Sequence, residues 1–293
     1  MTGRANIWVW CARVAWALLP VTMGTAIADA LDGWSSASAA VGAALLWLVW
    51  VAGLIALFVP RPWGLTLLRI TAPCAIVCAI LTLSSTSARA AVAAIAGSVV
   101  AAALVLSWPV ATANANALAY GDERRVPLRT PTPLLLGPIP IAVVVVALGL
   151  VSGPLLIAAG PVVLGVIVTV VGVPVALMVA RSLNTLSRRW IVFVPAGIAL
   201  VDPLTLVDPV LVRREQIVSL HRLTSTGLPS EALDLRLGTL AGGLAMELSE
   251  PVMFGRRRGR ANAEMLRPTT VAVAVPHVDA VVELASRRRI ATG

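Results

Sequence analysis

The chain has 293 residues, of which 58% are hydrophobic and only 13% charged, with a mean hydropathy of +0.91. Soluble domains carry about 25% charged residues, so this composition all but excludes a soluble globular protein and excludes a disordered one. The class that remains is an integral membrane protein. Formal charge is +9, from 23 basic and 14 acidic residues, and every basic residue is Arg. In a soluble protein a pI of 11.3 would point to nucleic acid. Membrane topology explains it more simply, because cytoplasmic loops collect Arg, and no nucleic-acid partner is expected.

A transmembrane helix needs about 20 apolar residues. Six stretches qualify, at 7–28, 37–59, 65–84, 90–110, 134–151 and 155–180. Arg13 interrupts the apolar core that a cleavable signal would need, so the first stretch is expected to be a retained helix with Arg13 snorkelling to the headgroups. The fourth, almost all Ala, Val, Ile, Gly and Ser, is expected to be a packed interior helix. The fifth is the shortest, and Ser152-Gly153-Pro154 is expected to turn the chain into the sixth. Ser38 with Gly42, and Gly165 with Gly172, place small residues at helical spacing, which lets helices approach closely. Pro138, Pro140, Pro161 and Pro174 permit kinks in the last two spans.

Charge placement supports six spans with both termini cytoplasmic. On that side fall Arg4, Arg13, Arg61, Arg69, Arg124, Arg125 and Arg129; on the other, Arg89 alone among the arginines, with Asp29 and Asp32. This satisfies the positive-inside rule. Trp8, Trp10, Trp63 and Trp108 fall near the cytoplasmic helix ends, as an interfacial belt does. The expected location is a bacterial plasma membrane.

Composition changes at Arg181. Residues 1–180 are expected to form the transmembrane domain, 181–188 a linker, and 189–290 a small cytoplasmic domain. Trp190-Ile-Val-Phe-Val194 and Ile198-Ala-Leu-Val201 read as a hairpin. Asp202-Pro203 and Asp208-Pro209 are turn signals. Further strands are expected at 210–212, 217–220, 232–237, 243–248 and 269–275, with Leu233, Leu235 and Leu237 on one face of the fifth. Pro276 sits where a helix begins, and Val278, Val281, Val282 and Leu284 form its apolar stripe up to Arg287-Arg-Arg289.

About seven short strands followed by one helix resembles the bacterial pleckstrin-homology-like (PH-like) domain. The residues carrying the resemblance are Arg189 to Leu200, the Asp-Pro turns, and Thr270 to Pro276 leading into the helix. The resemblance implies a bent antiparallel sheet closed by the C-terminal helix, with scaffolding, protein binding or lipid-headgroup contact as its role. The expected fold is therefore an α-helical membrane bundle followed by a small β-rich PH-like cytoplasmic domain. The Ala-, Val-, Leu- and Arg-rich composition fits GC-rich coding, as in an actinobacterium.

The loop Gly255-Arg256-Arg257-Arg258-Gly259-Arg260 is the candidate contact site. Arg256, Arg257, Arg258 and Arg260 would attract anionic headgroups at about 1 kcal/mol per residue near the surface. The spans contain no Asp, Glu or His, which weakens proton-coupled transport. Cys74 and Cys78, four apart, suit small apolar packing better than a metal site, and neither His221 nor His277 has a second ligand at metal spacing. No nucleotide-binding loop or nucleophile elbow occurs. No cofactor, metal or catalytic residue is expected. The expected function is a non-enzymatic membrane scaffold or regulator that binds a protein partner or anionic lipid; the alternative is a small transporter or channel for an uncharged or apolar solute.

Overall fold

The computed structural model describes residues 2–223, 228–239, 241–259 and 262–293, with the backbone alone for 2–6. The chain divides into two compact units, Met1–Asn114 with Ile141–Asn184, and Ala115–Pro140 with Thr185–Gly293. The first is helical and holds six helices long and apolar enough to cross a membrane. The second is β-rich.

The first span is two helices in tandem, α1 (Thr2–Ala17) and α2 (Leu19–Leu31). Pro20 lies in the first turn of α2 and has no N–H to offer the carbonyl of Trp16, four residues back. The indole of Trp50, in α3 (Ser36–Phe58), donates to that carbonyl at 3.0 Å. Trp16 returns the bond, its Nε1 donating to the Trp50 carbonyl at 2.9 Å. A water-free surround makes such replacement of a lost backbone bond necessary. The Trp16 ring occupies the space a side chain on Gly53 would take: a Cβ there would stand 2.3 Å from the ring. Arg13 is pinned rather than free: its Nε donates to the Leu57 carbonyl at 3.1 Å, in the last turn of α3. Its guanidinium lies 4.8 Å from both the Trp10 and Phe58 rings, a cation–π arrangement.

Helices α4 (Pro62–Leu81) and α5 (Ala88–Val105) complete the four-span core. Ser35 and Ser87 cap α3 and α5 by accepting from the amides of Ser38 and Ala90. The most enclosed span is α4, half of it buried, against a third of α5. The fourth span, α5, is less enclosed than the third but packs against α1, α2 and α4. Small size here permits close contact on one face: a Cβ on Gly97 would stand 2.4 Å from the Thr22 hydroxyl of α2.

A short helix, α6 (Trp108–Asn116), leads to strand β1 (Arg124–Pro127) and helix α7 (Thr132–Leu136). The last two spans are α8 (Pro138–Ala159) and α9 (Val162–Ser187). The turn between them, at Gly160, lies seven residues after Gly153, the centre of the expected Ser152-Gly153-Pro154 turn. Gly153 and Pro154 are inside α8, and the chain reverses at Gly160, whose φ of +113° only glycine adopts readily. The reason is the neighbouring helix. Gly149 and Gly153 of α8 face Gly172 and Thr169 of α9, with Cβ positions 2.6 Å from the Gly172 carbonyl oxygen and 2.1 Å from Thr169 Oγ1. Gly153 is thus a contact residue between helices. Gly165 and Gly172 serve the close approach expected of them.

Among the described residues, the β-rich unit has two four-stranded sheets. The first runs in the order β1-β2-β3-β4, all antiparallel, with β2 at Trp190–Val194, β3 at Gly197–Val201 and β4 at Val210–Arg213. β1 comes from the connection between the fourth and fifth spans, so the composition break at Arg181 is not the unit's only boundary. It pairs along its length with β2, from Arg124 opposite Phe193 to Pro127 opposite Trp190. At a sheet edge its proline costs no ladder bond. The Asn116 side chain brackets this strand, accepting from Arg125 N at 2.9 Å and donating to Arg125 O at 2.7 Å.

The second sheet runs β5-β7-β10-β6, with β5 at Ile217–Arg222, β6 at Leu233–Asp234, β7 at Gly243–Leu248 and β10 at Thr270–Ala274. β6 pairs parallel to β10, so the sheet is not wholly antiparallel. The alternation at 232–237 yields only this two-residue strand, because Leu237 turns into the left-handed region at φ +54°. Leu233 and Leu235 are buried, while Leu237, expected on the same face, is half-buried. A two-stranded hairpin, β8 (Phe254–Arg258) with β9 (Asn262–Leu266), stands between β7 and β10 in the chain. Helix α10 (Val278–Arg287) packs on β5 with Val278, Val281 and Ala285 buried.

One buried ion pair joins these parts. Arg189 donates through Nε and Nη2 to the two oxygens of Asp202 at 2.8 and 2.7 Å. The side chains are 2% and 1% exposed. Arg189 also donates to the carbonyls of Arg129 and Leu235, at 3.3 and 3.2 Å, and Asp202 accepts from Leu204 N at 3.1 Å. The Asp-Pro turn after β3 is thereby tied to the start of β2 and to two loops.

Candidate functional site

The basic run is not a loop. Arg256, Arg257 and Arg258 belong to strand β8, and Arg260 lies outside the described residues. Phe254 anchors the strand in the core at 0% exposure. The other edge of β8 is held by residues 205–207: Arg257 N donates to Thr205 O at 2.7 Å, and Val207 N donates to Gly255 O at 2.9 Å. The result is a three-stranded patch built on a rigid base.

Strand alternation divides the arginines. Arg256 and Arg258 share one face. There Arg256 stands opposite Glu264 in the ladder, and Arg258 Nε donates to Glu264 Oε2 at 2.7 Å. Arg257 points to the other face, opposite Ala263, and is exposed. The three described arginines therefore do not form one patch, and Glu264 offsets part of the charge of two. On the face of Arg257, the next row is Val207, Gly255 and Met265. A Cβ on Gly255 would stand 3.6 Å from Val207 Cβ and 3.7 Å from Met265 Sδ. Val207 is 39% and Met265 66% exposed, and Arg267 follows β9 exposed.

Arg256 also acts on a neighbour. Burial works to raise the Asp234 carboxyl, but hydrogen bonds from Arg236, at 2.8–2.9 Å, and the charges of Arg236 and Arg256 outweigh it and hold the group below its ordinary value. Glu123 is held down likewise by a hydrogen bond from Arg125.

Val207, Met265 and Arg267 escaped the sequence reading. Residues 254–258, Phe-Gly-Arg-Arg-Arg, do not alternate in polarity, so Gly259 is the one local signal, and it marks a turn without naming its strands.

Other clusters carry less chemistry. Ser219, His221 and Glu247 meet on the surface of the second sheet, with Ser219 Oγ donating to Glu247 at 2.9 Å and 3.1 Å from His221 Nδ1. The carboxylate binds the serine, so it does not orient the imidazole as a triad acid would. Among the described residues no three metal-binding side chains converge. Cys74 and Cys78 are half-buried free thiols. Asp29, in the last turn of α2, accepts from the Thr86 hydroxyl in the loop before α5. Arg287 pairs with Glu283 one turn back at 2.6 Å, and Arg288 donates to the Asp122 carbonyl, so two members of the C-terminal run have structural partners.

The helical unit carries an apolar groove of about 770 Å³ between the first span and α5, floored by Ala93, Ala96 and Gly97. It does not involve the proline-bearing α8 and α9, which are packed backbone to backbone. Compared with family models, curated proteins and solved structures, the chain finds no match.

Proposed function

We propose that this protein is a non-enzymatic, multi-pass scaffold or regulator of a bacterial plasma membrane. On this reading the β-rich unit is a cytoplasmic PH-like domain, and its basic hairpin recognises anionic groups. The observation that carries the reading is the hairpin itself. Three arginines sit on a strand fixed at both edges and at its base, with one carboxylate, Glu264, among them. The unit is joined to the spans by three chain crossings, at 114/115, 140/141 and 184/185. Tethering keeps it at high effective concentration beside a leaflet, so a weak attraction suffices. About 1 kcal/mol per arginine is enough to bias its position.

The test is hydrogen exchange of the full chain in nanodiscs. Residues 254–266 should exchange more slowly in bilayers containing phosphatidylglycerol than in phosphatidylcholine alone. The R256S/R257S/R258S variant should show no such difference. Equal exchange of the wild type in both bilayers removes the headgroup reading. Crosslinking and pull-down from native membranes then tests the protein-partner form of the proposal.

A second reading, a small transporter or channel for an uncharged or apolar solute, draws on the groove beside the first span. Its lining holds no ionisable side chain except the Cys11 thiol. Substrate-dependent flux into proteoliposomes would favour it.

A further inference from the structure

We infer that the row Val207–Gly255–Met265 is a membrane-inserting edge, flanked by Arg257 and Arg267, that enters the interfacial region of an anionic phospholipid leaflet. The inference rests on the preceding reading that the hairpin meets anionic headgroups, and it names a different set of residues and a different physical contact.

Residues directly opposite in an antiparallel pair lie on one face, so Gly255 with Met265, and Arg257 with Ala263, form two successive rows of that face. The 205–207 segment extends the first row, because Val207 pairs beside Gly255. Glycine at the centre leaves no side chain there, and the flanking Val207 and Met265 lie within van der Waals reach of the position its Cβ would occupy. Met253, one residue before β8, is 51% exposed. A soluble surface gains little by exposing a methionine and a valine beside one another. An interfacial surface gains more, since membrane-lying elements combine an apolar edge with arginines at the rim.

The charges fit the same occupant. Glu264 faces the opposite side of the hairpin, with Arg256 and Arg258. The face of Val207 and Met265 therefore carries Arg257 with no carboxylate in its two rows, and Arg267 follows directly after β9. Methionine suits the role because its unbranched, polarizable side chain adapts to an irregular apolar surround.

The experiment uses the full chain in nanodiscs, with Cys11, Cys74 and Cys78 replaced by Ala and a bimane probe on M265C. In bilayers containing phosphatidylglycerol, bimane emission should shift to the blue and be quenched by doxyl-labelled lipid. In phosphatidylcholine alone both effects should be largely lost. Replacing Arg257 and Arg267 by Ser should weaken the inserted population by about 30-fold, two arginines at the usual headgroup attraction. A V207S variant should reduce quenching while leaving the exchange protection of 254–266 in anionic bilayers.

Emission that stays water-like in both bilayers overturns the inference. If exchange protection by anionic lipid persists in that case, headgroup contact stands and insertion falls; if both are absent, the two readings fall together. A photocrosslinker at position 265 that captures a second copy of the chain instead of lipid also overturns it.

Discussion

Replacing Asp202 by Ala would strand Arg189 in the core of the β-rich unit. The guanidinium, with 2% of its side chain exposed, would lose two charge-assisted bonds of 2.8 and 2.7 Å and keep only the Arg129 and Leu235 carbonyls, at 3.3 and 3.2 Å. Breaking a buried pair from one side costs about 3–5 kcal/mol, because an uncompensated charge remains. Against a domain stability of about 5–15 kcal/mol, that loss approaches unfolding. The assay is hydrogen exchange of the amides in β2 and β3, which open only with the unit's core. They should exchange roughly 100- to 4,000-fold faster in D202A, the free-energy loss expressed as an opening equilibrium. Arg189→Met alone should cost a similar amount by leaving the carboxylate buried. The double variant R189M/D202L, apolar on both sides, should recover most of the stability of wild type. Additive single effects in the double variant would refute the reasoning, because they would mean that neither loss came from the stranded partner.

Gly53→Ala would set a methyl 2.3 Å from the Trp16 ring; the ring must move, breaking the bond from its Nε1 to the Trp50 carbonyl. We expect a loss of about 1–3 kcal/mol, read as a lower melting temperature in detergent. Gly172→Val would place a side chain 2.8 Å from the Gly149 carbonyl and separate α8 from α9; a disulfide engineered between those helices should then form more slowly than in wild type. Asp234 is held below its ordinary value of 3.8, so its stabilising effect is complete above that value and fades as pH falls through the lower folded-state value. D234N should therefore lower thermal stability at neutral pH and matter progressively less in strong acid, as scanning calorimetry would show.

The candidate site was half legible. A run of arginines is visible in any reading, and its positive charge is a property of composition alone. Which arginines act together depends on the alternation of a strand, and the strand exists because Phe254 is buried at its base and residues 205–207 pair along its edge. The 205–207 segment lies tens of residues away in sequence and leaves no local mark. The same holds for Val207 and Met265, ordinary apolar residues until the ladder sets them side by side.

The six spans needed only the sequence, because the bilayer acts on each stretch separately: about 20 apolar residues satisfy its thickness, whatever the rest of the chain does. The hairpin of β2 and β3, the order of most later strands and the final helix were legible for a similar reason, since their signals are periodic and local. Pairing partners were not. β1 is four residues with one valine and a proline, and it becomes a strand because β2 presents an open edge to it. The reversal at Gly160 instead of Gly153 was settled by the helix across from it, where only a residue without a side chain fits against Thr169. A glycine reads alike in a turn and in a tight helix contact, and what tells the two apart is the backbone that lies opposite.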